Sequence, residues 1–166
     1  EHISLAQLNA VQYGAHYYLL LQFNDIPDAA QRDALQKAGI TLFTYIPNYA
    51  YVARVAQDTD LKEIPVRGIF LLQAEHKLSP ALAAGDYPIY ALTGNAIEVN
   101  VTLFPALDQQ PVLTRLTDRG YTVSLIRDVL RITLPLEDLA WLTEQPYVQY
   151  VEAVSPDPKL EPDGLT

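Results

Sequence analysis

Apolar and polar residues alternate strictly from Ile97 to Phe104 (IEVNVTLF), with Ile97, Val99, Val101 and Leu103 on one side and Glu98, Asn100 and Thr102 on the other. A period of two marks a strand buried on one face. Tyr17 to Phe23 (YYLLLQF) also reads as a strand, with Leu19, Leu21 and Phe23 sharing a face. Helix signals follow each strand. Asp28 can cap the first helix, Gln31 completes a capping box, and Ala30, Ala34, Leu35 and Ala38 form an apolar stripe that Gly39 ends. In the second half Asp108 can cap, Pro111 is tolerated in the first turn, Val112, Leu113 and Leu116 form the stripe, and Gly120 ends it.

A hairpin comes next in each half: ITLFTY and YVARV about a turn at Pro47-Asn48, then YTVSLI and LRITL about a turn at Arg127-Asp128. Second helices are expected over Asp58 to Ile64 and Leu136 to Gln145, punctuated by Pro65 and Pro146. VRGIFLL from Val66 and VQYVEAV from Val148 read as closing strands. Each half is therefore β-α-β-β-α-β. The expected fold class is α+β: two tandem ferredoxin-like (βαββαβ) domains, antiparallel sheets with helices on one face.

On that plan residues 1–16 are an N-terminal arm, 17–75 the first unit, 76–96 a linker rich in Pro, Gly and Ala, and 97–154 the second unit. Residues 155–166 are an extended tail leading to a downstream domain. Two similar phrases, EHKLSP (Glu75 to Pro80) and DPKLEP (Asp157 to Pro162), then stand as the exits after the last strand of each unit. With no methionine or signal-like stretch at Glu1, and turn-forming EPDGLT at the other end, the sequence is expected to be a trimmed piece of a longer chain.

Composition acts mainly by exclusion. Twenty acidic against 11 basic residues give a net charge of −9, which argues against a nucleic-acid partner. No apolar run approaches the ~18 residues of a membrane span. The absence of cysteine removes disulfides and thiolate chemistry. His2, His16 and His76 stand in no metal-binding pattern, and there is no nucleophile elbow, phosphate loop or dinucleotide fingerprint. Asp58/Asp60 and Glu137/Asp138 open short helices, where carboxylates meet the positive end of the dipole, so capping outweighs acid–base work as their role. A non-catalytic segment without cofactor or metal is expected, and a monomer.

The outer face of each sheet, away from the helices, is the expected binding surface. In the second unit it carries Glu98, Asn100, Thr102, Arg131 and Thr133; the matching positions of the first are Tyr18, Leu20, Gln22, Val52 and Arg54. Tyr18 and Leu20 side by side would form an exposed apolar patch that some surface should cover. The linker, the other unit and a separate partner are the candidates.

A family resemblance adds to this. Gln22-Phe23, Gln31-Arg32, Ala34-Leu35, Gly39, Tyr45 to Asn48 and Ala50 to Val52 resemble the N-terminal region of certain bacterial subtilisin-like serine proteases. VRGIFLLQAEHKLSP is similar to that family's next landmark, and PLEDLAWLTEQPYVQYVEAVSP resembles its propeptide unit just before the catalytic domain. Gly68-Ile69-Phe70 departs from the pattern, lacking the aromatic and Gly-Pro that often follow the arginine. The resemblance implies an exported prodomain that acts as folding assistant and temporary inhibitor of a catalytic domain in the same chain. It also implies docking through the open sheet face (Tyr18, Leu20, Gln22, Val52, Arg54) and through a tail, Ser155, Pro156, Asp157 and Pro158, passing into the active-site cleft. The alternative is an accessory protein- or substrate-binding module without inhibitory role.

Overall fold

The computed structural model describes residues 3–155. The chain divides into two compact units whose main boundary lies between Gln73 and Ala74, with Glu144–Pro146 grouped with the first. Both are α+β, and each holds one five-stranded antiparallel sheet.

The first unit runs α1 (Leu5–Ala10), β1 (Gln12–Tyr13), β2 (His16–Gln22), α2 (Ala29–Lys37), β3 (Ile40–Ile46), β4 (Ala50–Ala56), a 3-10 turn (Leu61–Glu63) and β5 (Gly68–Phe70). β2 is flanked on one side by β4 and then β3, and on the other by β1 and β5 placed end to end. The stretch expected to be a plain arm therefore belongs to the fold. α1 opens on a capping box between Ser4 and Gln7, and Gly14, at φ 61, turns β1 back onto β2. Asp28 and Gln31 cap α2 reciprocally, each backbone N–H reaching the other's side-chain oxygen at 2.8 Å. Gly39, at φ 91, ends it. The core gathers Leu19 and Leu21 of β2 and Phe23 just after it with Tyr51, Ala53 and Val55 of β4, and Leu8 and Val11 pack against it.

The helix expected over Asp58 to Ile64 is only the single 3-10 turn. Asp60 caps it by accepting from the Lys62 N–H at 3.0 Å, and Ile64, preceding Pro65, is extended at φ −75, ψ 129. A cap so close to a proline leaves too few residues to close an α-helical turn.

The second unit runs α3 (Ala74–Lys77), α4 (Pro80–Ala83), a 3-10 turn (Ile89–Ala91), β6 (Leu92–Thr93), β7 (Ala96–Leu103) and α5 (Gln109–Asp118). β8 (Thr122–Ile126), β9 (Val129–Pro135), a 3-10 turn (Leu136–Asp138), α6 (Leu139–Thr143) and β10 (Val148–Ala153) follow. β7 is flanked on one side by β9 and β8 and on the other by β6 and β10, the arrangement of the first unit. Burial alternates residue by residue along β7 and β9, with Ile97, Val99, Val101, Leu130 and Ile132 fully buried. α5 adds Val112 and Leu116, and α6 adds Leu139 and Leu142.

Residues 76–96 are correspondingly not a free connector. Ser79 caps α4 by accepting from the Leu82 N–H at 3.3 Å, and its own N–H donates to the Val151 carbonyl at 2.9 Å. Leu78 forms a parallel bridge with Val151, so EHKLSP closes the outer edge of β10. Gly94, at φ 61, turns β6 onto β7 as Gly14 turns β1 onto β2. DPKLEP lies outside the described residues.

Lys77, at the end of α3, is 4% exposed among elements that pack on β10 and α6. Desolvation brings its ammonium down to a pKa of about 7. In the unfolded chain it titrates near 10.5, so between about pH 7 and 10 the unfolded state holds the extra proton and stability should rise with pH. Lys77→Met, which removes the titrating group, should therefore abolish that part of the rise, checked by denaturant unfolding at several pH values.

Gly39 and Gly120 (φ 99) both occupy left-handed stops, but only Gly39 is crowded, with an added Cβ meeting the Ala56 Cβ at 3.0 Å. Each alanine substitution should cost about 1–2 kcal/mol through backbone strain. Gly39→Ala should cost more than Gly120→Ala in calorimetric unfolding.

Candidate functional site

The helix layers of the two units differ. In the second unit α5 and α6 both contribute buried side chains. An aromatic cluster supports them: Arg119 Nε donates to the Tyr121 hydroxyl at 2.6 Å, which donates to Asp138 Oδ2 at 2.6 Å. The Arg119 guanidinium lies 3.8 Å over the half-buried Trp141 ring. Burial and the hydrogen bond to Asp138 together hold the Tyr121 phenol above its ordinary pKa.

In the first unit α2 has no such partner. Of the expected stripe only Leu35 is buried; Ala30, Ala34 and Ala38 are exposed. Beside them lies a groove of about 440 Å³. Its floor is apolar, made by Phe23, Leu35, Ile40 and Ile64, with Ala34 and Ala38 as one wall. Its rim is acidic, with exposed carboxylates on Asp25, Asp60 and Glu63, joined by Asn24, Gln31 and Thr59. Ile26, between the lining residues Asp25 and Pro27, is 54% exposed. The groove was not foreseen from the sequence. Two signals point to it in retrospect: a stripe of alanines where the second unit has valine and leucine, and the short spacing from Asp60 to Pro65.

The sheet-face residues are placed as follows. Tyr18, Leu20, Gln22, Val52 and Arg54 do share one face, with Tyr18 opposite Arg54 and Leu20 opposite Val52. The apolar members, however, are out of water: Tyr18 is 1%, Leu20 9% and Val52 5% exposed, so they form no exposed patch. Burial raises the Tyr18 phenol above its ordinary pKa against the opposing charge of Arg54, and Arg54 lies 5.7 Å over the Phe43 ring. Gln22 and Arg54 remain partly accessible, and Gln22 Nε2 donates to the Asn48 carbonyl at 3.1 Å. The corresponding face of the second unit keeps partial exposure at Glu98, Asn100, Thr102, Arg131 and Thr133, and Arg131 Nε donates to Asn100 Oδ1 at 3.3 Å. Of the tail residues, Ser155 is exposed, while Pro156, Asp157 and Pro158 lie outside the described residues.

No helix among the described residues is long and apolar enough to cross a membrane. Among those residues, no three or more His, Asp or Glu side chains are grouped so as to hold a metal ion.

The architecture is thus two similarly ordered α+β units, with an apolar groove on the first and an accessible polar sheet face on the second. Its first half is similar to a family described as "Domain of unknown function (DUF8729)", whose model matches residues 2–73. No curated protein and no solved structure matches the chain.

The burial of Leu20 sets a test. Leu20→Asp would place a carboxylate where water is excluded, so it should destabilise the first unit by about 3 kcal/mol or more. Circular dichroism should show a lowered melting temperature; an unchanged one would mean that this face opens to solvent.

Proposed function

We propose that this segment is the non-catalytic N-terminal prodomain of an exported subtilisin-like serine protease, serving the catalytic domain of the same chain as intramolecular chaperone and temporary inhibitor. The residue resemblance described above supports the reading. So does the strand order, closing strand–first–third–second in both units, which we read as that of the ferredoxin-like split βαβ.

The observation that carries the docking part is the contrast between the two sheet faces. With Tyr18, Leu20 and Val52 buried, the first unit's outer face has little apolar surface to offer. The second unit's face is continuous in register, Glu98 opposite Thr133 and Asn100 opposite Arg131, and partly accessible throughout. β10 lies on the same sheet, and the Val154 N–H just after it donates to the Glu98 carbonyl at 3.3 Å, which ties the root of the tail to this face. A polar, accessible face suits a reversible contact, since such interfaces are about as polar as the remaining surface. The docking face is therefore assigned to Asn100, Thr102, Arg131 and Thr133, with the chain after Ser155 as the inhibitory element. An accessory module without inhibitory role is the second reading, favoured by the groove of the first unit.

The purified segment should inhibit peptide hydrolysis by the catalytic domain encoded downstream of it, and Arg131→Glu should weaken inhibition tenfold or more without lowering the segment's melting temperature. Absence of a subtilisin-like domain downstream, or no inhibition at about 1 µM segment, overturns the prodomain reading.

A further inference from the structure

We propose that the groove of the first unit is a docking site for a basic amphipathic helix presented by a partner polypeptide. Duplication supplies the first argument. Where the second unit sets α6 on its sheet, with Leu139 and Leu142 buried, the first unit has one 3-10 turn, and the alanine stripe of α2 stays exposed. The groove is thus helix-lined on one side and apolar beneath, the surface that receives an apolar helix face in groove recognition. Its volume of about 440 Å³ is of the size that accepts a few large apolar side chains.

Charge supplies the second argument. Asp25, Asp60 and Glu63 stand on the rim and are solvent-exposed. Of the nearby cations, Lys62, Arg32 and Arg67 are not among the lining residues, Arg32 lying 5.3 Å over the Tyr51 ring, while Lys37 is paired with Asp33 at 3.1 Å on α2. An acidic helix would meet repulsion, and a neutral one would leave the rim unanswered. Lysine or arginine flanking a leucine stripe would match both floor and rim, and would speed association. The exposed Ile26 extends the apolar contact beyond the rim. The inference concerns the first unit alone and holds whether or not the chain inhibits a protease.

The test uses the whole segment and three fluorescein-labelled peptides of about 16 residues, long enough to hold helix on a surface. The first has leucines at i, i+3, i+4 and i+7 with flanking lysines. The second replaces its lysines by glutamate, and the third scrambles the leucines. Anisotropy should show the first peptide binding in the micromolar range, at least tenfold tighter than either control, and more weakly as salt rises. The combined variant Asp25→Asn, Asp60→Asn, Glu63→Gln keeps a capping side chain at position 60, and should lower affinity tenfold or more. Ala34→Arg, at an exposed site, should abolish binding with the melting temperature unchanged. Amide shifts on titration should centre on Ala34, Ala38 and Ile64. Equal binding of the control peptides, no effect of the rim variant, or shifts elsewhere would each overturn the proposal. So would failure of the first peptide to bind at about 1 mM, or occupation of the groove by a small apolar amine and not by the peptide.

Discussion

The side of each sheet that faces the helices has to be kept from water, and the way each unit meets that requirement shapes the rest of the structure. Four central strand positions present a row of Leu, Ile and Val side chains, each stabilising by about 1.5–3 kcal/mol when fully buried. One helix cannot cover that width. The second unit uses two, and the pair is locked by Arg119, Tyr121, Asp138 and Trp141 across the space between them. The first unit has α2 without a counterpart of α6 and recruits other cover: Leu8 on α1 and Val11 just after it, and the Phe23 and Tyr51 rings packed edge to face at 6.0 Å. That substitution closes the core but leaves the far side of α2 unanswered, and the groove follows.

What was legible in the sequence was whatever is encoded locally. The capping box at Asp28, the left-handed glycines at 39 and 120 and the strict alternation of IEVNVTLF each specify structure within a few residues, and each appears in the fold. What was not legible depends on length or on a distant partner. Gln12–Tyr13 and Leu92–Thr93 are too short to show a period, so hairpins led by Gly14 and Gly94 read as arm and linker. The edge role of EHKLSP depends on Val151, far along the chain. The groove depends on a helix that is missing, which no motif announces.

YYLLLQF shows the boundary between the two. The expectation placed Tyr18 and Leu20 on an open face because their neighbours alternate with the core residues. Yet the run itself is almost uninterruptedly apolar, and such runs belong to strands buried on both faces. IEVNVTLF, with a polar residue at every second place, belongs to a strand with one face near water. Their burial patterns differ accordingly: four consecutive buried residues in β2 against strict alternation in β7. The pattern held the answer, and the assumption of equivalent halves hid it.

That difference constrains how a duplicated chain can divide its work. In the first unit the outer sheet face is closed and the helix layer is incomplete, so the surface left for the proposed recognition is the helix side, where apolar floor and carboxylate rim coincide. In the second unit the helix layer is filled, so the accessible surface is the polar sheet face with Arg131 and Asn100 at its centre. Apolar grooves give affinity through desolvation, whereas polar faces mainly give register and discrimination. A change that completes the first unit's helix layer would remove the one and leave the other intact. The two surfaces therefore differ in their chemistry as well as in the unit that carries them, although both units follow the same strand order.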